Sequence, residues 1–237
     1  LRTAYSWNLE YYSMSNDFSP QELGLKVNSK GQSTKINNLK ALSYLLSSKV
    51  EKRLENSWWL EGNLRGAYAF NGYLQDIGEK WRTMRVELIA GLKNYLIDLK
   101  EANDMDSKSA YYQKTFFWNF GLAYKKYNEG ANSLGIYSPT FLFPYVGLGS
   151  DYPLSDRVLL SSFIRAYPYG LAKAEIAKSG RTFSGGGYGA ETGVGLEYLY
   201  LFNWDWRVLA EFQYEYLGGQ VKEKPDTRSI NIGRNNL

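Results

Sequence analysis

The stretch Trp204–Gly218, with the sequence WDWRVLAEFQYEYLG, decides the fold class. One set of alternate positions is apolar: Trp206, Val208, Ala210, Phe212, Tyr214 and Tyr216. The intervening set is mostly charged or polar: Asp205, Arg207, Leu209, Glu211, Gln213 and Glu215. A period of two with one apolar and one charged face predicts a β-strand lying between an apolar and an aqueous environment. The stretch is also longer than the usual strand of about 5–6 residues.

The same alternation recurs along the chain and predicts about ten strands, within a range of about eight to twelve. The predicted strands are Leu1–Met14, Leu39–Lys52, Leu60–Phe70, Trp81–Lys100, Tyr112–Tyr127, Ile136–Gly149, Val158–Leu171, Tyr188–Phe202, the Trp204 stretch and Ser229–Leu237. The predicted loops are Ser15–Asn38, Asn71–Lys80, Ala172–Gly187 and Gln220–Thr227. Two features leave alternatives open. Lys40–Glu55 also fits an amphipathic helix, and Pro139 and Pro144 predict a bulge or an edge in the sixth strand.

The composition indicates one all-β domain covering residues 1–237. The chain contains 21 Tyr, 7 Trp and 11 Phe, and Tyr and Trp suit a membrane–water boundary because one end of the ring is apolar and the other forms hydrogen bonds. The mean hydropathy is −0.44, and no run approaches the roughly 18 apolar residues of a spanning helix. A helical membrane protein is therefore excluded, whereas a barrel with a polar interior is not.

The alternation by itself does not say which face points inward. A soluble up-and-down barrel of the lipocalin kind hides its apolar face, and a membrane barrel exposes it. Two features favour the membrane: several strands of roughly 15 residues exceed the crossing length of about 9–11 residues, and aromatic residues cluster near strand ends. The predicted girdle residues are Trp58, Trp59, Trp81, Tyr127, Phe202, Trp204 and Tyr216. Longer links at 15–38, 71–80, 172–187 and 219–228 are expected on the external side, opposite shorter turns.

The segments Tyr198–Phe202 and Phe212–Tyr216 carry a resemblance to small bacterial outer-membrane β-barrel proteins. This resemblance is architectural and covers most of the chain. It implies an antiparallel up-and-down transmembrane barrel in the bacterial outer membrane, in contact with lipid including lipopolysaccharide and with possible protein partners. Such barrels usually close with a strand that ends in an aromatic residue, whereas this chain ends Arg234-Asn235-Asn236-Leu237. The closing strand is therefore expected to be incomplete or to lie elsewhere. With no signal peptide visible, a mature or trimmed chain is expected.

The absence of histidine argues against catalysis. Histidine is the usual proton-transfer group near neutral pH, and outer-membrane barrel enzymes resemble one another in requiring it. A mechanism based on carboxylates alone stays possible, but the prediction is a barrel that is not an enzyme. No cofactor or metal is expected: the chain has no Cys, Asp104 and Asp106 lack further ligands in sequence, and Gly185–Gly187 lacks the Lys-Ser/Thr of a phosphate loop. A net charge of +4 with scattered basic residues argues against nucleic acid.

Charged residues on the polar faces of neighbouring strands are the candidate site. They are Arg165, Glu191, Glu197, Arg207, Glu211 and Glu215. One interpretation is a network of paired charges that fills a narrow lumen, since barrels of about eight strands are filled by side chains. The other is a charged lumen that selects ions or small solutes. The first predicts a structural, scaffold or partner-binding barrel, for which the long segment Ser15–Asn38 offers a binding loop, and the second predicts a narrow porin-like channel.

Overall fold

The computed structural model describes residues 2–16, 39–54, 58–74, 79–96, 115–131, 135–155, 157–176, 180–201, 206–223 and 229–236. Within them lie ten strands: β1 (Arg2–Asn16), β2 (Leu39–Arg53), β3 (Trp58–Leu74), β4 (Glu79–Tyr95), β5 (Thr115–Ala131), β6 (Gly135–Ser155), β7 (Val158–Ile176), β8 (Arg181–Leu201), β9 (Trp206–Glu223) and β10 (Ser229–Asn236). Among these described residues, no helix is long and apolar enough to cross a membrane.

The strands form one antiparallel barrel in which each strand pairs with its neighbours in sequence. The ring closes where Met14, Ser15 and Asn16 of β1 pair with Asn236, Asn235 and Arg234 of β10. The end of the barrel at which the odd-numbered strands finish is here termed the distal end. The opposite end, where β1 begins, is the proximal end. The up-and-down transmembrane architecture of about ten strands predicted from the alternation is confirmed.

The apolar set of alternate residues faces outward and the polar set faces inward. On β3, for example, Leu60, Leu64 and Tyr68 are exposed, whereas Glu61 is buried. Exposed leucines, valines and aromatics continue around the wall on every strand from β2 to β9, and inward-facing Glu87, Lys125 and Glu191 are at most 2% exposed. A closed antiparallel barrel with an apolar outer wall satisfies its backbone hydrogen bonds internally and can lie in hydrocarbon. The molecule is a transmembrane barrel of the outer-membrane type, not a soluble barrel.

Outward-facing aromatic residues mark the two edges of the apolar wall. Near the proximal end, Trp58 packs edge-on against Trp118 at 5.2 Å between ring centroids, and Trp118 stacks on Phe120 at 5.5 Å. Towards the distal end, the rings of Tyr188 and Tyr216 lie 6.0 Å apart. Tyr68 on β3 stands ten residues after Trp58, which is about 33 Å of strand and about 25 Å along the normal at a tilt of about 40°. That height matches the apolar band of a membrane barrel.

Several sequence-based boundaries change in the structure. The segment Leu39–Arg53 is a strand, so the helical alternative is wrong. The predicted loop Ala172–Gly187 is wrong, because β7 continues to Ile176 and β8 begins at Arg181. The predicted loops at 71–80 and 219–228 likewise shrink, since β3 reaches Leu74 and β9 reaches Glu223. Glycine-rich composition suggested loops in a region where neighbouring side chains fill the space above the glycines.

The sixth strand runs through both of its prolines. β6 extends from Gly135 to Ser155, and its pairing with β7 shifts register between Leu142 and Val146, around Pro144. A bulge is one of the few places where a strand tolerates a residue without an N–H donor. The bulge predicted in β6 is wrong, because the extra residue belongs to β7, between Tyr167 and Gly170 and next to Pro168. Pro144 and Pro139 both lie in regular pairs, opposite Leu122 of β5 and Ala174 of β7.

Two predicted girdle residues face the interior. Tyr127 is fully buried and Trp59 is 7% exposed, and both share the inward face of their strand. The outward positions of Trp58 and Tyr216 agree with the girdle prediction, and the side chains of Trp81, Phe202 and Trp204 lie outside the described residues. The prediction that the longer links all lie at one end of the barrel also changes. Residues 97–114 connect β4 to β5 at the proximal end, and this link is longer than most of the links at the distal end.

Candidate functional site

Three of the predicted charges form one continuous row across the inner wall. Arg165 on β7 pairs directly in register with Glu191 on β8, and Glu191 pairs in register with Glu215 on β9. The strand alternation turns all three side chains inward. Like charges directly opposite each other on neighbouring strands repel, so the Glu191–Glu215 pair requires a cation close to both carboxylates.

Lys125 supplies that cation from the other side of the lumen. Its ammonium Nζ lies 3.2 Å from Glu191 Oε2 and forms an ion pair with Glu215 as well. Lys125 and the side chain of Glu191 are fully buried, and the Glu215 side chain is 4% exposed. Lys125 is on β5 and Glu215 is on β9, four strands away on a ring of ten. The ion pair therefore crosses the lumen between nearly opposite walls.

Hydroxyl, amide and guanidinium groups occupy the remaining bonding positions of the two carboxylates. The Tyr127 hydroxyl donates to Glu215 Oε1 at 2.7 Å, and the Tyr167 hydroxyl donates to Glu191. Gln213 donates to Glu191, and Arg65 on β3 donates to Gln213 Oε1 at 3.2 Å, a second bond across the barrel. The guanidinium of Arg165 completes the set, 3.5 Å from Glu191 Oε2. The lumen network is defined here as Lys125, Glu191, Glu215 and these five partners.

A second polar cluster lies closer to the proximal end. Glu61 on β3 accepts hydrogen bonds of 2.7 Å from both Asn119 Nδ2 on β5 and the Tyr145 hydroxyl on β6. Gly91 on β4 leaves the space that the Tyr145 hydroxyl occupies. A buried carboxylate is tolerated when such donors surround it.

Replacing Tyr145 by Phe removes one of these donors. Because a hydrogen bond to a charged group contributes about 1.5–3 kcal/mol, we expect Tyr145→Phe to lower the free energy of unfolding by about that amount, measured by urea unfolding in detergent. The matched control is Tyr198→Phe, since Tyr198 faces outward and is 39% exposed; it should change stability by less than about 0.5 kcal/mol. Equal effects of the two substitutions would contradict the role of the Tyr145 hydroxyl.

Above the lumen network, towards the distal end, the interior is rich in apolar and aromatic side chains, and the buried residues Glu129 and Thr83 lie beside them on β5 and β4. The residues of this aromatic layer are each at most 1% exposed: Tyr127, Phe141, Phe143, Tyr167, Phe183, Leu217 and Val221. Phe143 stacks between Phe141, at 5.4 Å, and Tyr167, at 5.5 Å. Tyr127 and Tyr167 belong both to this layer and to the lumen network, because their rings pack with the phenylalanines while their hydroxyls reach the carboxylates.

The structure brings together half of the predicted site residues. Arg165, Glu191 and Glu215 lie in the lumen network. Glu197 and Glu211 share the inward faces of β8 and β9 but stand nearer the proximal end, where Glu197 is half-buried and Glu211 is exposed. The backbone of Arg207 pairs with Leu199, and its side chain lies outside the described residues. Glu197 and Glu211 are therefore separated from the lumen network, because the strands extend each inward face over most of the barrel's height.

Sequence reasoning missed the residues that complete the network, above all Lys125, Tyr127 and Tyr167. Lys125 follows Phe117, Asn119, Gly121 and Ala123 on an inward face whose parity was readable from the sequence. Tyr127 has the same parity as Lys125, which was a signal against placing it in the girdle. The odd or even position of a residue predicts whether its side chain faces inward. It does not predict which strands across the lumen Lys125 contacts, because that depends on strand tilt and register.

The described side chains of the interior are arranged to neutralise one another. Five cations (Arg65, Arg85, Lys93, Lys125 and Arg165) share the described interior with five buried carboxylates (Glu61, Glu87, Glu129, Glu191 and Glu215). Within the described part of the chain, no group of three or more metal-ligating side chains could hold an ion. The contacts link strands on nearly opposite walls across the lumen.

Comparisons with known proteins add little beyond the fold itself. No protein-family model matches the chain, and no curated protein matches it by sequence. Among solved structures, the chain is similar to the outer membrane protease OmpT from Escherichia coli, at 11% identity, covering 99% of this chain and 91% of that one, with a TM-score of 0.48. It is also similar to a mutant porin of Rh. blastica, at 8% identity, covering 99% of both chains, with a TM-score of 0.19.

Proposed function

We propose that this protein is an integral outer-membrane barrel with a closed, non-conducting lumen. Its role is structural or partner-binding and is carried by its outer surfaces and loops, not by passage of solutes or by catalysis. The observation that carries the proposal is the direct ion pairing of Lys125 with Glu191 and Glu215 across the lumen.

Direct contact between opposite walls supports closure at this level. Lys125 on β5 reaches β8 and β9, and Arg65 on β3 reaches Gln213 on β9. These bonds cross the barrel at different points of its circumference. Lys125, Glu191 and Glu215 are at most 3% exposed, and the Arg65–Gln213 bond is partly buried. Barrels of about eight strands are filled by side chains, whereas open aqueous channels belong to barrels of about 16 strands. Ten strands lie close to the filled class.

The aromatic layer adds a second barrier. An ion that passed the lumen network would next meet the buried rings of Phe141, Phe143 and Phe183. Transfer of an unpaired ion among buried aromatic rings is unfavourable. Two successive layers, one of ion pairs and one rich in aromatic rings, favour a closed barrel over a selective pore.

The alternative is a narrow channel for ions or small solutes, and the exposure of Glu211 near the proximal end favours it. A carboxylate that is open to water at one mouth could attract cations. The same residue also fits a shallow vestibule that ends at the lumen network. Conductance distinguishes the two functions.

We expect the refolded, detergent-purified chain to give no single-channel steps in a planar bilayer. A variant that carries both Phe143→Ala and Tyr127→Ala should give steps, because it removes two rings from the aromatic layer and one donor from the network. The matched control is Leu142→Ala, which shortens an outward side chain that is 40% exposed on the same strand and should stay silent. Faster gel migration of the unheated protein checks that each variant is folded.

Steps from the unmodified protein would contradict the closed lumen. If their cation selectivity fell with Glu211→Gln or Glu191→Gln, the channel alternative would replace the proposal and would place that carboxylate in the conducting path.

A further inference from the structure

A row of lysines and hydroxyls crosses the outside of the barrel near the distal end. Lys126 on β5 pairs in register with Thr140 on β6, and Thr140 pairs with Lys173 on β7. Lys173 pairs with Ser184 on β8, and Ser184 pairs with Lys222 on β9. The row therefore alternates ammonium and hydroxyl groups over five consecutive strands, and it is termed the lysine row here.

All five side chains have outward parity. Lys173 and Lys222 are exposed, and Lys126, Thr140 and Ser184 are half-buried. Neighbouring strands lie about 4.8 Å apart, so successive lysines in the row are separated by about 10 Å at their Cα atoms. That spacing leaves room for one phosphate-sized group between each pair of lysines, beside the intervening hydroxyl.

The lysine row lies at the edge of the apolar wall. Along β5, Lys126 is the first outward charge after Leu122 and Tyr124, and along β7, Lys173 follows the exposed Tyr169 and Leu171. On β9, Lys222 follows Tyr216 beyond Gly218 and Gln220. Lysines at this depth can place their alkyl chains against lipid and their ammonium groups among the headgroups.

The row differs from the interior charges in its pairing. Lys125, one residue before Lys126, has two carboxylate partners, whereas no ion pair joins Lys126, Lys173 or Lys222 to any residue within the described ranges. The nearest outward acid on these strands is Glu175, one outward position farther along β7 than Lys173. Three cations and two hydroxyls with one adjacent acid form a surface that complements an anion.

We infer that the lysine row binds the phosphate groups of anionic membrane lipids in the leaflet at the distal end. Ammonium groups supply the charge attraction and the Thr140 and Ser184 hydroxyls donate hydrogen bonds to phosphate oxygens. Each lysine near an anionic lipid surface contributes about a fivefold gain in affinity, so the three together give about 100-fold. The inference depends on the membrane location of the barrel and not on the closed lumen.

The test measures lipid affinity through thermal stability. The full chain, folded in a zwitterionic detergent, is titrated with short-chain phosphatidylglycerol, and the rise of Tm with lipid concentration gives the apparent Kd. We expect phosphatidylglycerol to raise Tm, and the variant with Lys126→Gln, Lys173→Gln and Lys222→Gln to bind about 100-fold more weakly. Lys52→Gln is the matched control, because Lys52 is an exposed outward lysine at the proximal end and should leave the Kd unchanged.

Four outcomes would overturn the inference. Phosphatidylcholine could raise Tm as much as phosphatidylglycerol, which would mean that the charge is not recognised. The triple variant could retain the affinity of the unmodified chain, or Lys52→Gln could reduce it equally, so that the row has no special part. Inorganic phosphate at the same concentration could reproduce the whole shift, which would indicate a site for a free anion and not for lipid. Conductance is recorded separately, so a failure here and a failure of the closed lumen are distinguishable.

Discussion

Lys125→Ala is expected to lower the free energy of unfolding by about 3–5 kcal/mol, the cost of removing one partner of a buried ion pair. Glu191 and Glu215 face each other in register, and both lose their shared cation in this variant. The hydroxyls of Tyr127 and Tyr167 would remain as donors, but they carry no charge to offset the repulsion. Urea unfolding in detergent, followed by tryptophan fluorescence, measures the change.

The adjacent lysine is the matched control for this substitution. Lys126 belongs to the same strand and faces outward with no described ion pair, so Lys126→Ala should change stability by less than about 0.5 kcal/mol in a zwitterionic detergent. A loss at Lys126 equal to that at Lys125 would contradict the lumen network.

A double variant keeps the test informative if Lys125→Ala does not refold. Combining Lys125→Met with Glu215→Gln removes one charge of each sign and preserves the volume, while Glu191 keeps Arg165, Tyr167 and Gln213. Replacement of a buried ion pair by neutral groups of similar size is often close to neutral. We therefore expect the double variant to recover most of the stability. Failure of this recovery would mean that packing, not charge balance, accounts for the loss at Lys125.

Gly121→Val is expected to prevent the barrel from folding. A Cβ at this position would overlap the carbonyl oxygen of Ala90 and would lie 2.5 Å from Gly91 Cα. Both atoms belong to the backbone of the paired strand and cannot rotate away, so the cost should reach or exceed the upper end of the roughly 1–3 kcal/mol of ordinary overpacking. Refolding yield, scored by the faster gel migration of the unheated folded barrel, is the measurement.

Gly62 and Gly66 provide the contrast, because no atom lies within 4 Å of a Cβ built at either position. Both glycines face outward on β3, Gly62 between the exposed Leu60 and Leu64 and Gly66 between the exposed Leu64 and Tyr68. Gly62→Val should refold with at least the yield of the unmodified chain, since valine favours strands and glycine weakens them. A normal yield for Gly121→Val would show that β4 and β5 can separate there, against the close approach seen in the structure.

Much of the fold could be predicted because each strand of a membrane barrel has lipid on one side and the polar interior on the other, so apolar and polar side chains alternate along it. The outward positions of Phe212 and Tyr214 and the inward position of Glu215 follow directly from the alternation. Loops were harder to place than strands. Residues 172–187 are rich in small side chains, which suggested a loop. The described part of this stretch is nevertheless paired, and Phe143 packs against Gly170 and Gly187 while Tyr169 packs against Gly186.

The candidate site was predictable only within neighbouring strands. Arg165, Glu191 and Glu215 share one row because consecutive strands pair in register, and sequence order places them side by side. Glu197 and Glu211 have the same parity but stand at another height. Since parity repeats along the whole strand, it could not separate these two residues from the lumen network.

The sequence by itself determined the two faces of each strand, because a residue's face follows from its position in the alternation. The length of the strands and the aromatic residues near their ends predicted that the apolar face lies outward in a membrane barrel. The tertiary structure decided what the interior charges do. Lys125 on β5 pairs with Glu191, three strands away on the ring, and with Glu215, four strands away. Tyr127, which was expected in the girdle, donates a hydrogen bond to the buried carboxylate of Glu215. Those contacts depend on strand tilt, register and barrel diameter, which are properties of the closed ring and are not written in any single strand.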